Sequence, residues 1–196
     1  MSGGRGARRV DRVPAITSER LELVSLSPTF MEALLAGDRP QATALAGHAL
    51  PDGWPDRHDG AFLRLRARQL RDDPGAQEWL VRGLVLREDG RPMVGHAGFH
   101  GPPGVNAVAR PDAVELGYTI FPPYRGRGYA SEAVRALIGW ARGERGIRRF
   151  VASVAPDNAP SLAIVRKLGF VETGRHWDEE DGEELELQLE LGDEPA

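Results

Sequence analysis

A glycine-rich turn in the second half of the chain has the residue types of an anion-binding site. It lies within residues 118–131, where a strand pattern ends and a helix pattern begins. Gly126 and Gly128 would let the backbone come close to a ligand, and the first amides of the following helix lie at the positive end of its dipole. Arg125 and Arg127 add positive charge beside the turn. The pattern therefore predicts a site for an anion, most often a pyrophosphate.

Two prolines, Pro122 and Pro123, stand between the strand pattern and this turn. Proline has no amide hydrogen, so the strand cannot continue to pair with its next neighbour beyond this point. We expect the sheet to splay here and to leave unpaired backbone groups on Thr119 and Ile120. A linear ligand with amides of its own, such as pantetheine, could lie in that gap as a surrogate strand.

Three other interpretations of the turn compete with this one. A P-loop requires Gly-Lys-Ser/Thr, and the only lysine of the chain, Lys167, is far away in sequence. A dinucleotide-binding turn would have a third glycine near Ser131 and an acidic residue at the end of the next strand, and the chain lacks both. A tight turn that binds no ligand is the remaining alternative. The paired glycines and arginines favour an anion site over all three.

The elements that must hold this turn in place are predicted from hydrophobic periodicity. The last strand is the clearest, because leucines at positions 185, 187, 189 and 191 alternate with polar residues and define one core face. A three-stranded meander followed by strand–helix–strand predicts an α+β fold, a mixed α/β sheet that is mostly antiparallel, with helices on both faces. The predicted order is a first strand at 21–26, one or two helices in 28–47, a helix at 61–70, strands at 79–86, 93–99 and 113–121, a helix at 130–142, a strand at 150–154, a helix at 161–168 and two final strands.

Composition narrows the class of protein. The 196 residues suit one domain, and we expect a flexible basic tail over residues 1–14 and a single domain over residues 15–196. The absence of cysteine excludes disulfides, Cys-ligated metals and a thiol nucleophile. A formal charge of −4 gives no general attraction to nucleic acid. With no membrane-spanning run, no secretory signal and no HExxH histidine spacing, we expect a cytoplasmic protein that binds no membrane, nucleic acid or metal.

Several segments of the chain, beginning with the glycine-rich turn, resemble the GCN5-related N-acetyltransferase (GNAT) superfamily. Residues 125–130 (Arg-Gly-Arg-Gly-Tyr-Ala) match its Gln/Arg-x-x-Gly-x-Gly/Ala pyrophosphate signature, and residues 158–170 look like its second cofactor segment. Residues 17–21 (Thr-Ser-Glu-Arg-Leu) and 115–118 (Glu-Leu-Gly-Tyr) are similar to the branch that acetylates the N-termini of ribosomal proteins. The resemblance covers nearly the whole domain. Residues 48–80 match nothing in it, and we expect this segment to determine acceptor specificity.

The resemblance implies acetyl-CoA as co-substrate and a GNAT-like sheet splayed at its middle. It implies that the backbone of Thr119 and Ile120 pairs with pantetheine, and that the amides from Gly126 to Ser131 hold the pyrophosphate. Asn158 suits a helix N-cap, and the resemblance gives it a cofactor contact as well. The predicted cofactor-binding residues are Thr119, Ile120, Arg125, Gly126, Arg127, Gly128, Tyr129, Ala130, Ser131, Asn158 and Lys167.

Two residues are candidates for proton transfer in such a reaction. Glu115 is the acid of an otherwise apolar strand, and a partly desolvated carboxylate with a raised pKa could take the proton of an amine, alone or through water. A solvated strand position or a partner for a helix arginine is the alternative. Ser161, in the first turn of a predicted helix, could protonate the departing thiolate, whose aqueous pKa is roughly 8.5. A second capping hydroxyl is the alternative there.

The sequence therefore predicts an N-acyltransferase that moves acetyl from acetyl-CoA to a protein N-terminus or a small-molecule amine. Direct attack within a ternary complex is expected, because no cysteine is present to carry an acyl intermediate. A non-catalytic acyl-CoA-binding module of the same fold is the main alternative, and a dinucleotide-binding oxidoreductase domain is the less favoured one. Either a monomer or a homodimer is compatible with the sequence.

Overall fold

The computed structural model describes residues 13–179 and 182–192, which form one eight-stranded sheet with helices on both faces. Proline and a capping side chain begin several of the helices; Ser27 and Asp38, for example, each accept a hydrogen bond from a first-turn amide. The elements are β1 (Ile16–Thr17), β2 (Leu21–Ser25), α1 (Pro28–Leu35), α2 (Arg39–Ala46), α3 (Arg57–Asp72), β3 (Arg82–Leu86), β4 (Met93–Phe99), β5 (Ala113–Ile120), α4 (Tyr129–Arg145), β6 (Arg149–Val154), α5 (Ala159–Lys167), β7 (Val171–Asp178) and β8 (Gly182–Glu190).

The sheet order is β1-β2-β3-β4-β5-β6-β8-β7, and the neighbouring strands are antiparallel except for β5 and β6. This parallel pair is short, because only Ala113–Glu115 of β5 lie opposite Arg149–Val151 of β6. Residues 116–120 of β5 continue alongside β4 alone. The predicted mixed, mostly antiparallel sheet with a splay at its middle is confirmed. The strands part directly after Glu115, however, well before Pro122, so the missing proline amides are not what separates them.

Hydrophobic side chains form two buried clusters, one on each face of the sheet. On one face, α4 and α5 pack with residues such as Val134, Leu137 and Val165, all at most 1% exposed. On the other face, α1, α2 and α3 pack through Phe30, Leu63 and their neighbours. The predicted alternation of the last strand is confirmed, since the inward leucines at 185 and 187 are buried between more exposed glutamates. The two layers of helices thus cover both faces of the sheet.

Several element boundaries differ from prediction because of local capping. The third helix begins at Arg57 instead of residue 61, since the Asp56 side chain caps it by accepting from the Asp59 amide at 2.9 Å. The strand predicted from residue 79 begins at Arg82, because residues 74–78 form a short 3-10 turn capped by Asp73. The tail predicted over residues 1–14 falls mostly on residues 1–12, which lie outside the described residues.

The acidic run at residues 178–184 joins β7 to β8, although residues 180 and 181 lie outside the described part. Among the helices of residues 13–179 and 182–192, none combines the length and the apolar character that crossing a membrane would demand.

Candidate active site

The glycine-rich turn opens α4 in the way its residue types predict. Gly126 and Gly128 both adopt the left-handed backbone region, with φ of 74° and 82°, which glycine enters at no steric cost. Gly128 is the N-cap of α4 and has no side chain with which to satisfy the first-turn amides. Those amides therefore lie at the positive end of a 17-residue helix, ready to bind an anion.

Residues 17–21, from the first part of the chain, contact the start of α4 and hold the turn in place. We call this set of contacts the brace. Ser18 Oγ and the Arg20 backbone amide both donate to Glu132 Oε1 at 2.7 Å, and Arg20 Nε donates to Oε2 at 2.7 Å. Arg20 also donates to the Arg127 carbonyl at 3.0 Å and lies over the ring of Tyr129, 4.7 Å from its centroid. Burial raises the pKa of Glu132, but these three hydrogen bonds outweigh it and hold the pKa below its ordinary value. The brace therefore contains an ionised carboxylate in the first turn of α4.

A cavity of about 680 Å³ lies between the turn, the free edge of β5 and the start of α5. Arg127 and Lys167 lie outside its lining: the guanidinium of Arg127 lies 5.8 Å from the centroid of the Tyr124 ring, and Lys167 is exposed at the end of α5. Arg125 lines the cavity but donates through Nε to the Ile120 carbonyl at 2.9 Å. The predicted cofactor residues in the lining are Thr119, Ile120, Arg125, Gly126, Gly128, Tyr129, Ala130, Ser131 and Asn158.

A second cavity of about 660 Å³ lies on the other side of the splay, between β5, β6 and the ends of β7 and β8. Tyr118, Thr119, Asn158 and Ser161 line both cavities. Asn158 Oδ1 accepts from the Ser161 amide at 3.2 Å, so the predicted N-cap is present. The splay between β5 and β6 thus produces two cavities that meet at one wall.

Tyr118 lies in that wall. Its hydroxyl donates to the Ser161 carbonyl at 3.4 Å. Burial raises the pKa of Tyr118, so its hydroxyl stays protonated at neutral pH and remains a donor. The residues of the wall therefore carry three hydroxyl groups, those of Tyr118, Thr119 and Ser161, near the point where the cavities meet.

Glu115 contributes a buried carboxylate to the second cavity. It is only 2% exposed and accepts from the Ala107 amide at 2.7 Å and from Ser153 Oγ at 2.6 Å. His100 Nδ1 lies 3.6 Å from Glu115 Oε2. Arg66, from α3, is also buried, and its burial lowers its pKa to about 10. Both oxygens of Glu115 are therefore already engaged by the protein.

The second cavity is lined by acidic side chains and by no described arginine or lysine. Three carboxylates, those of Glu115, Asp178 and Glu184, belong to its described lining. Three histidines and Tyr118 are its other titratable groups, and one of the histidines, His58, comes from the first turn of α3. A neighbouring cavity of about 170 Å³ is also lined by His58, together with Phe62 and Arg66 of the same helix. Residues within the 48–80 segment thus line the side of the site opposite the glycine-rich turn.

Sequence reasoning missed His100 and Tyr118 as residues of the site. Tyr118 lay within the recognised motif and could have been found by its position beside Thr119. No local sequence pattern marks His100 as a site residue, because its contact with Glu115 depends on how strands β4 and β5 align. Across the described ranges, no group of three or more His, Cys, Asp or Glu side chains is arranged to hold a metal ion.

Comparison with known proteins identifies the family to which the chain belongs. The family model for an acetyltransferase (GNAT) domain matches residues 20–171, and the chain therefore belongs to the GNAT acetyltransferase family. The family's reaction is acetyl transfer, and membership implies acetyl-CoA as the donor.

Individual relatives agree with this assignment. The uncharacterized N-acetyltransferase YjdG of Bacillus subtilis is 26% identical over 159 residues, which is 80% of this chain and 89% of YjdG. A putative GnaT-family acetyltransferase from Bordetella pertussis has a TM-score of 0.62 at 26% identity, over 89% of this chain and 98% of that one. The ribosomal L7/L12 alpha-N-protein acetyltransferase RimL, solved in complex with coenzyme A, has a TM-score of 0.60 over 90% of this chain and 98% of its own. At 20% identity this last likeness concerns the fold alone.

Proposed function

We propose that the protein transfers the acetyl group of acetyl-CoA directly to a cationic amine while both substrates are bound. The observation that carries this proposal is the pair of cavities, about 680 and 660 Å³ in volume, that meet at the wall formed by Tyr118, Thr119, Asn158 and Ser161. A thioester entering from one side and an amine entering from the other would meet at that wall. Direct transfer needs such a meeting point and no carrier residue on the protein.

The donor side fits acetyl-CoA in its chemistry. Unsatisfied amides at the start of α4 suit the pyrophosphate. The edge of β5 beyond Glu115 has no strand partner on its β6 side, so its backbone groups suit the amides of pantetheine. Arg125 satisfies the Ile120 carbonyl in this state, and it would have to release that oxygen if pantetheine pairs there. Arg127 and Lys167 would act, if at all, by long-range attraction of the phosphates.

The acceptor side favours a cation. A lining with three carboxylates and no described arginine or lysine raises the local concentration of protonated amines and repels anions. Both a protein N-terminus and a small-molecule amine satisfy this condition. The contributions of α3 to the lining support assigning acceptor specificity to residues 48–80 within a single acetyltransferase domain of residues 15–196.

Proton transfer must accompany the reaction, since amines with pKa values near 8–10 are protonated at neutral pH and cannot attack. Glu115 lies on the acceptor side and is proposed to act in removing that proton. Ser161, at the shared wall and in the first turn of α5, is proposed to supply a proton to the departing thiolate. The helix dipole stabilises developing negative charge at that position.

The test is release of free thiol from acetyl-CoA across a panel of protonated amines and N-terminal peptides, with neutral and anionic acceptors as controls. Turnover confined to cationic members is the expected result. Tight CoA binding without turnover on any member would instead favour a non-catalytic acyl-CoA-binding module. Turnover with anionic acceptors would contradict the proposed role of the acidic lining.

A further inference from the structure

The imidazole of His100 lies between a buried carboxylate and the acceptor cavity. His100 directly follows β4, and its backbone amide donates to the Glu115 carbonyl at 2.8 Å, so the two residues face each other across neighbouring strands. Its Nδ1 lies 3.6 Å from Glu115 Oε2. The side chain of His100 is 43% exposed, whereas that of Glu115 is 3% exposed. The imidazole therefore offers an amine in the cavity much more accessible surface than the carboxylate does.

Gly117 provides the space that the ring occupies. A Cβ atom placed on Gly117 would come within 3.2 Å of His100 Nε2, and the backbone of Gly117 is not in the left-handed region. A side chain at this position would therefore push the ring by a few tenths of an ångström, so the neighbouring ring, and not the φ angle, favours glycine here. Nε2 consequently lies over Gly117 of β5, and both residues line the acceptor cavity.

We infer that His100 is the residue that accepts the proton of the acceptor amine, and that Glu115 is the positioning residue behind it. This inference rests on the proposed acetyl transfer and assigns a role that Glu115 alone cannot fill. Both oxygens of Glu115 already accept hydrogen bonds, from Ala107 and Ser153. Those bonds hold the carboxylate in place, where it stabilises an imidazolium across 3.6 Å.

Burial keeps the imidazole of His100 in its neutral form, which is the form that can accept a proton. Burial lowers the pKa of His100 and so does Arg66, while Glu115 and Asp178 act in the opposite direction, and the net pKa lies below its ordinary value. The ring is then neutral at pH 7. The other titratable groups facing this cavity are His58, Tyr118, His176 and Glu184.

In the proposed transfer, the amine nitrogen loses two protons and gains the acetyl group. His100 Nε2 takes one proton from the ammonium group, and the freed lone pair attacks the thioester carbonyl carbon, so that a C–N bond forms. As the intermediate collapses, the C–S bond breaks and the nitrogen passes its second proton to the Ser161 oxygen, which replaces the proton that this hydroxyl gives to the thiolate. The thiolate gains a proton through the Ser161 hydroxyl, and the imidazolium returns its proton to solvent. The products are an amide, free CoA and one released proton.

The test compares His100→Gln with wild type, using the best cationic amine from the panel and a fluorinated analogue that is already neutral at pH 7. Loss of a positioned base should lower turnover of the cationic amine by roughly 10²–10⁴, and the loss should be much smaller for the neutral analogue. The acid limb of the wild-type pH profile should disappear in the variant. Added imidazole should partly restore His100→Ala, and CoA affinity measured by calorimetry should be unchanged in both.

Gly117→Ala provides an independent test, because it displaces the ring without removing it. We expect a loss of turnover with CoA affinity retained, whereas Gly139→Ala, at an exposed helix position with open space around it, should leave turnover unchanged. Turnover by His100→Gln within about threefold of wild type would overturn the inference. So would equal losses on both amines without rescue by imidazole. Failure of the wild type on every amine would instead refute the proposed function itself.

Discussion

The brace between Arg20 and the start of α4 should control the affinity for the donor. Arg20→Gln removes a charge-assisted pair with Glu132, a hydrogen bond to the Arg127 carbonyl and the contact with the Tyr129 ring. Such bonds contribute about 1.5–3 kcal/mol when buried, but the Arg20 side chain is 45% exposed and solvent screens it. We therefore expect Arg20→Gln to destabilise the ligand-binding conformation of the turn by about 1–2 kcal/mol. This free energy corresponds to a roughly 5- to 30-fold weaker affinity for CoA.

Calorimetric titration of CoA into wild type and Arg20→Gln measures this effect. Arg91→Gln is a matched control, since Arg91 forms a similar exposed pair with Glu22 at 2.6 Å and lies outside the donor cavity. The control should bind CoA like the wild type. At saturating acetyl-CoA the turnover of Arg20→Gln should be close to wild type, because the brace acts on binding and not on the reacting atoms. Unchanged CoA affinity in Arg20→Gln would refute the brace.

The pH dependence of the same contact gives a second measurement. The pKa of Glu132 is depressed in the folded state, so its contribution is present above the unfolded-state pKa and is lost as the pH falls through the folded-state pKa. The stability difference between wild type and Glu132→Gln should therefore shrink in acid, below the ordinary value of 4.5. A difference that stays constant from neutral pH to pH 3, in denaturant titrations at each pH, would contradict this account.

Three further outcomes are expected. Gly128→Val forces a β-branched residue to a φ of 82°, at a strain of about 1–3 kcal/mol, and should weaken CoA binding and lower the Tm in a thermal melt; wild-type CoA affinity would contradict the assigned turn. Ser161→Ala should lower turnover less than His100→Gln does, with its deficit narrowing at low pH, because a thiolate is a fairly good leaving group; an equal deficit at every pH would refute proton donation. Acetyl-CoA at a hundredfold excess over its Kd should stabilise the fold by about 2.7 kcal/mol, whereas a shift with NAD or ATP alone would contradict the assigned donor.

Local chemistry explains why part of the site could be predicted. Gly126 and Gly128 mark a backbone conformation that few other residues adopt, and a helix following them directly predicts an anion site. Asn158 three residues before Ser161 likewise marks a helix start within a single turn of chain. Each of these signals depends only on residues a few positions apart, so the sequence contains all the information that is needed.

Other predictions failed or stayed incomplete because they depend on distant partners. The proline pair predicts a splay, but the strands separate earlier, where the side chain of Glu115 bonds to Ser153 across 38 residues. Lys167 belongs to the second cofactor segment but lies outside the lining of the cavity, so its cofactor contact stays a prediction.

The sequence alone therefore determined most of the elements, the mixed sheet and the glycine-rich turn that opens α4, since periodicity, capping and glycine conformation are local properties. Only the tertiary structure decided which side chains meet. Arg20 reaches Glu132 across 112 residues, and His100 reaches Glu115 through the register of two strands. Strand register and helix packing follow from burying both hydrophobic clusters at once, which no single segment specifies.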